Sequence, residues 1–198
     1  MATAPGPAAP KAPAIRKRSR PRTRAAILEA ASRRFARRGY ARVTLKEIAD
    51  DVGVTPALIV RYFGSKLTLF EVVVGEHRQA AVPGTDVTEA ARSLLRFWQN
   101  PEAYAPAIAL LRSLDLDDGA LFHKEALRRM HDPWSKVLEG RDDADLKARL
   151  IGSIGMGIGL FAIGALVDIG PRPLTPEEID NITPYLAALL EVCVTGPA

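Results

Sequence analysis

The sequence predicts an all-α protein of about nine helices, a three-helix helix-turn-helix unit followed by a larger helical domain. Three observations predict it. Apolar residues recur at helical spacing from Arg22 to Val194, and no segment alternates with period two. Glycines, prolines and capping residues interrupt that pattern at intervals of one helix. Charge also divides the chain. Residues 1–66 hold 15 Lys and Arg against 4 Asp and Glu, a balance of +11; residues 67–198 hold 12 against 19, a balance of −7. A basic first third joined to an acidic remainder implies two jobs, the first facing a polyanion.

Residues 1–20 read as a disordered basic tail. Met1–Ala14 has six Ala and four Pro without an apolar run, so it is not a secretory signal. Ile15–Arg24 then carries six basic residues. Such an arm can follow a phosphate backbone, enter a minor groove, or simply stay solvated.

From Arg22 a helix begins, with Ile27, Leu28, Ala31 and Phe35 on one stripe and Arg33, Arg34, Arg37 and Arg38 off it. Gly39 ends it. Thr44 and Glu47 form a T-x-x-E capping box for a second, short helix whose apolar face is Leu45, Ile48, Ala49 and Val52. Gly53 closes that helix. Thr55 caps a third, with Pro56 at its first position, where the missing N–H costs nothing. Gly64 closes it, and Ser65 caps a fourth helix, Lys66 to about Ala81, before the break at Val82-Pro83-Gly84. Five more helices are expected at about Thr88–Asn100, Glu102–Leu116, Ala120–Glu139, Asp143–Val167 and Pro176–Val194. Pro106 is expected in the first turn of the sixth helix, and Pro133 as a kink in the seventh.

Residues 44–63 carry the most specific signal. Two short helices that cross steeply need a small residue at the crossing and a turn residue that tolerates positive φ. Ala49 and Gly53 supply these four positions apart, flanked by Ile48, Val52, Val54 and Ile59. That geometry lets the second helix enter a major groove about 12 Å wide.

Residues 22–80 resemble the N-terminal domain of the TetR family of transcriptional repressors. The resemblance runs through Ala25–Ala31, Phe35, Gly39-Tyr40, Val43–Ala49, Gly53–Thr55, Arg61–Lys66 and Leu69-Phe70. It implies a DNA-binding domain over 21–81 and a ligand-binding and dimerisation domain over 82–198. It implies DNA contacts from Thr44, Lys46, Thr55, Pro56, Ala57, Arg61, Tyr62 and Lys66, with Thr44 and Lys66 on phosphate. The chain departs from the family at two positions, with Val60 for the usual Tyr and Tyr62 for the frequent His. Tyr62 either replaces the missing phosphate contact or packs inward. Arg61 suits a guanine edge or a phosphate equally.

In the body, Leu150–Val167 has 18 residues without a charge. At 1.5 Å per residue it would cover about 27 Å, the lower limit of a membrane span. Its five glycines, including a G-x-x-x-G at Gly155 and Gly159, suit close helix packing better. By resemblance, helices at about 143–167 and 176–194 form a homodimer, and the central helices enclose a pocket for an unknown small-molecule inducer. Candidate lining residues are Phe97, Trp98, Leu111, Phe122, Met130, Trp134, Met156 and Phe161, with Arg112, Asp115 and His123 for polarity.

The expected function is a cytoplasmic, sequence-specific regulator released from a palindromic double-stranded operator by its ligand. The alternative is a ligand-independent architectural DNA-binding protein. No enzyme, metal, cofactor or membrane association is expected. His77, His123 and His131 lack metal-ligand spacing, and no nucleophile elbow or phosphate loop is present.

Overall fold

A computed structural model describes residues 20–75, 86–162 and 174–196. They form nine helices and, among the described residues, no strand: α1 (Arg20–Arg38), α2 (Leu45–Val52), α3 (Pro56–Phe63), α4 (Lys66–Gly75), α5 (Val87–Gln99), α6 (Pro101–Leu111), α7, α8 and α9 (Pro176–Thr195). α7 runs Ala120–Ala126, passes through a π-turn at Leu127–His131 and continues as Asp132–Val137. α8 runs Ala144–Gly157 into a π-turn at Ile158–Ala162. The all-α class is thus as expected. The basic tail up to residue 19, the extension of α4 to Ala81, the Val82-Pro83-Gly84 break and the end of α8 to Val167 lie outside the described residues.

The predicted stripe of α1 is buried except at Leu28, which is half-buried. Ile27, Ala31 and Phe35 meet Ile48, Ala49, Ile59 and Phe70 in one apolar core. The Phe70 ring stands edge-on to Phe35 at 5.0 Å, and Tyr40 lies 5.3 Å from Phe70. This core does not stop at the edge of the N-terminal unit. Ala109 and Leu110 of α6 belong to it, because α6 lies along α1. A second core joins Ala91 and Leu95 of α5 with Ala148 and Ile151 of α8 and Leu186 and Leu190 of α9.

Several boundaries differ from expectation, each for a local reason. α6 ends at Leu111 rather than Leu116. There Ser113 turns its hydroxyl to other work: Oγ donates to the Ala109 carbonyl at 2.7 Å and accepts the Tyr40 N–H at 2.8 Å. Asp117 and Asp118 then adopt left-handed φ values of 53° and 49°, which end helical continuation. Pro106 sits beyond the first turn of α6, since Asn100 is the N-cap and accepts from the N–H groups of Glu102 and Ala103 at 3.0 and 3.3 Å. Pro133 is preceded by the π-turn of α7, whose widened register accommodates the missing proline N–H. A second capping box, Thr175 with Glu178, opens α9.

The glycines of α8 divide by face. A Cβ on Gly159 would overlap the Trp98 indole, one on Gly155 would touch Leu94 at 3.4 Å, and one on Gly152 would approach Met130 at 3.1 Å. The G-x-x-x-G therefore serves packing against α5 inside the chain. Trp98 completes that contact by donating Nε1–H to the Gly155 carbonyl at 2.9 Å. Among the described residues, no helix is long and apolar enough to cross a membrane.

Candidate nucleic-acid interface and ligand cavity

The capping box of α2 forms as the sequence requires. The Glu47 N–H donates to Thr44 Oγ1 at 3.2 Å, and the Thr44 N–H donates to Glu47 Oε2 at 2.8 Å. Gly53 closes α2 at φ 70°, ψ 44°, and the chain turns directly into the Thr55 cap of α3, where Leu58 N–H donates to Thr55 Oγ1 at 3.3 Å. Ala49 is fully buried at the crossing, and Ile59 and Phe63 seat α3 on the core. The opposite face of α3 is open: Pro56, Ala57, Val60 and Arg61 are exposed.

Charges on α1 do a different job from the one their number suggests. Arg34 holds Asp51 through two bonds, Nε to Oδ2 at 2.5 Å and Nη2 to Oδ1 at 2.7 Å, and Arg38 pairs with Glu47. The Arg34 fork and the Arg38 contact fix α2 against α1. The hydrogen bonds from Thr44 and the nearby Arg38 hold the Glu47 carboxyl down at about 2. A carboxyl depressed in the fold contributes stability above its ordinary value of 4.5, and that contribution fades as pH falls toward 2. Glu47→Gln is therefore expected to melt at lower temperature than the parent at pH 6, with the gap narrowing below about pH 4.5 and closing only near pH 2. Thermal melts across that range check it; a gap that stays constant would remove the carboxylate's role.

The residues implied for DNA contact fall into three situations. Thr44, Lys46, Thr55, Pro56, Ala57 and Arg61 are exposed at the start of α2 and along α3. Lys46 pairs with Asp50 at 3.1 Å on an open surface, a bond that a phosphate or base could displace. Lys66 is half-buried, its ammonium 4.2 Å from the centre of the Tyr40 ring. Burial lowers its pKa, and the ring face holds the cation at a fixed place at the start of α4. Tyr62 is half-buried against the core, with its ring 6.2 Å from that of Phe63. Of the two roles open to it, the fold favours packing. Arg42 was not anticipated; it is exposed two residues before the Thr44 cap.

The implied ligand residues are scattered. Phe97, Phe122, Met130 and Met156 line an inner cavity of about 40 Å³ together with Glu125 and Arg129. Phe122, His123, Met130 and Met156 also line an outer groove of about 480 Å³ between α7 and α8. Trp134 and Met130 border a further small cavity beside Leu94. The other five lie elsewhere or outside the described side chains. Trp98 is core, and Leu111 packs half-buried on the same cluster. Arg112 donates to the Arg37 carbonyl at the end of α1. Asp115 is exposed just before the turn at Leu116–Gly119. The Phe161 side chain lies outside the described residues. Glu125 and Arg129 were missed; the only sequence signal was their helical i, i+4 spacing.

Comparison with known proteins agrees with this geometry. The sequence profile of "Bacterial regulatory proteins, tetR family" matches residues 27–73. The HTH-type transcriptional regulator TtgR of Pseudomonas putida is 46% identical over 52 residues, 26% of this chain and 25% of that protein. The matched stretch thus spans about a quarter of the relative's length. Over nearly the whole chain the likeness is one of fold. NalD, described as the secondary repressor of the MexAB-OprM multidrug efflux pump in Pseudomonas aeruginosa, superposes with a TM-score of 0.60 at 21% identity, covering 90% of this chain and 97% of NalD. A TetR-like transcriptional regulator from Rhodococcus sp. RHA1 gives 0.63 at 18% identity, covering 90% and 99%. Residues 27–73 thus match the helix-turn-helix domain of the TetR family of bacterial regulatory proteins, set in an all-α chain that shares the fold of these solved structures.

Proposed function

We propose that the chain is a sequence-specific repressor that binds a palindromic operator as a homodimer and leaves it when a small molecule occupies the body. The observation that carries the reading is the open face of α3, with Arg61 exposed and the helix held at its other face by Ile59 and Phe63. In this reading residues 21–81 bind DNA, residues 82–198 bind ligand and partner, and the protein works in the cytoplasm, where its DNA is. Lys46 and Arg61 reach base edges. Thr44, Thr55 and Lys66 meet phosphates, where helix N-termini and fixed cations are favourable. Pro56, Ala57 and Val60 give the helix an apolar edge suited to thymine methyls.

Ligand control follows from connectivity. α6 shares the first core with α1 and α4, and Arg128 of α7 donates to the carbonyl of Gly75, the last described residue of α4, at 2.8 Å. A ligand that prefers one arrangement of α6 and α7 shifts α4, and with it the separation of the two recognition helices. Reversing a 99:1 population needs about 5.5 kcal/mol of differential binding.

The test is selection of bound fragments from genomic DNA, followed by titration of the selected duplex and a random one at fixed salt. The selected duplex should bind on the order of 10³-fold tighter or more. Equal affinity would favour the ligand-independent architectural alternative. Arg61→Ala is expected to lose about 1–3 kcal/mol of discrimination at one operator position. Unchanged specificity in that variant would move the reading face away from Arg61.

A further inference from the structure

The inner cavity contains a cation that its neighbours leave incompletely satisfied. The Arg129 side chain is only 13% exposed. Its Nε donates to Glu125 Oε2 at 3.2 Å, but its Nη2 is buried without a hydrogen-bond partner. Glu125, 8% exposed, is already shared. The same Oε2 receives Arg128 through Nε at 3.1 Å and Nη2 at 2.8 Å. Two guanidiniums on one carboxylate leave the cluster with one positive charge in excess. Burial accordingly pushes the Arg129 pKa below its ordinary value.

The rest of the cavity wall is apolar, formed by Phe97, Leu110, Phe122, Met130 and Met156 with two alanines. The outer groove shares Phe122, Ala126, Met130 and Met156 with it and adds His123, His131 and Arg149, with no carboxylate on its wall among the described residues. Asp145 pairs with both His131 and Arg149 at 2.8 Å. The two spaces share a largely apolar wall, and a donor nitrogen of the buried Arg129 cation, which lines the inner one, has no partner. Leaving such a donor unpaired is costly, and a charged acceptor recovers that cost.

We propose that this site takes an amphiphilic anion: an apolar body lying in the outer groove, ending in a single carboxylate that pairs with Arg129 Nη2. The proposal rests on the ligand-responsive reading above and names its ligand class. It also gives the ligand a route to the DNA-binding unit. A carboxylate that draws Arg129 away from Glu125 changes the charge facing Arg128, which holds α4 through the Gly75 carbonyl.

The experiment uses the full chain with decanoate and 4-phenylbutyrate as probes, each against its own primary amide, which keeps the shape and removes the charge. Binding is read from thermal shift and from tryptophan fluorescence. The acids are expected to bind about tenfold tighter than the amides or more. Arg129→Met should abolish that preference with helicity retained by circular dichroism. Met156→Trp, which fills the shared wall and keeps the arginine, should weaken both acids and amides. Equal binding of acid and amide, an acid preference that survives Arg129→Met, or no acid binding at all would each overturn the proposal. Fragment selection with ligand-free protein separates the two levels. Selected DNA without an acid preference sinks only the ligand class. Absence of selected DNA sinks the regulatory reading, whatever the acids do.

Discussion

Replacing Tyr185 and Leu189 together by Asp is expected to yield a folded monomer whose operator affinity is lower by on the order of 10²–10⁴-fold, the advantage that a second linked half-site confers. The argument begins with α9, which is apolar on two faces. Leu186, Ala187, Leu190 and Cys193 face α5 and α8 and are buried. Ile182, Tyr185, Leu189 and Val192, at i, i+3, i+7 and i+10, form a second stripe, exposed by 38%, 76%, 56% and 53%. α8 repeats the pattern. Leu146 and Leu150 are 66% and 50% exposed, and Gly157, two turns beyond Leu150 on that side, has open space where a Cβ would stand. Contiguous apolar stripes on two packed helices mark an interaction surface. A twofold axis would place each stripe against its own copy. Because the substituted side chains point away from the buried core, the variant should keep its helicity. Sedimentation or light scattering gives the mass, and fluorescence anisotropy with labelled operator gives the affinity. A variant that remains dimeric would place the interface elsewhere; a parent that is itself monomeric would remove the dimer from the proposed function.

How far such surfaces can be read from sequence depends on whether a local rule fixes them. α2 and α3 were legible almost to the residue because caps, turn glycine and small crossing residue are all within 20 positions and each has a single physical reason. The body was legible as helices but not as a site. Trp98 and Phe97 are neighbours with the same aromatic character, yet one is core and the other lines a cavity. Only the approach of Gly155 and Gly159 from a helix some 60 residues away decides between them. The basic count of the first third was similarly incomplete. It counted Arg34 and Arg38 among the charges available to a polyanion, whereas both are held by carboxylates of α2. Arg112 and Asp115 were placed in a pocket on polarity alone. α6 ends five residues early, so one reaches back to α1 and the other faces outward.

That seam between α1 and α6 supports the second large prediction: Gly39→Ala should destabilise the protein by about 2–5 kcal/mol, well beyond the same change at Gly53. Both glycines stand at left-handed φ, 73° and 70°, so both substitutions carry the backbone cost of about 1–2 kcal/mol that an L side chain incurs there. Their surroundings differ. A Cβ on Gly53 meets nothing within 4 Å. A Cβ on Gly39 overlaps the Arg112 carbonyl oxygen, a backbone atom that cannot swing aside as a side chain can. Its neighbours hold it there. The Gly39 N–H donates to the Phe35 carbonyl at 2.8 Å, the Tyr40 N–H donates to Ser113 Oγ at 2.8 Å, and the Arg112 guanidinium reaches the Arg37 carbonyl. To admit one methyl group, the end of α6 must move off the end of α1. For a chain of this size, about 2–4 °C in Tm accompanies each kcal/mol, so Gly39→Ala should melt roughly 5–15 °C below the parent and Gly53→Ala only a few degrees below it. Parallel thermal melts of the two variants make the comparison. Equal losses would mean that the seam yields without cost, and that α6 is too loosely held to carry a ligand's signal into the helix-turn-helix.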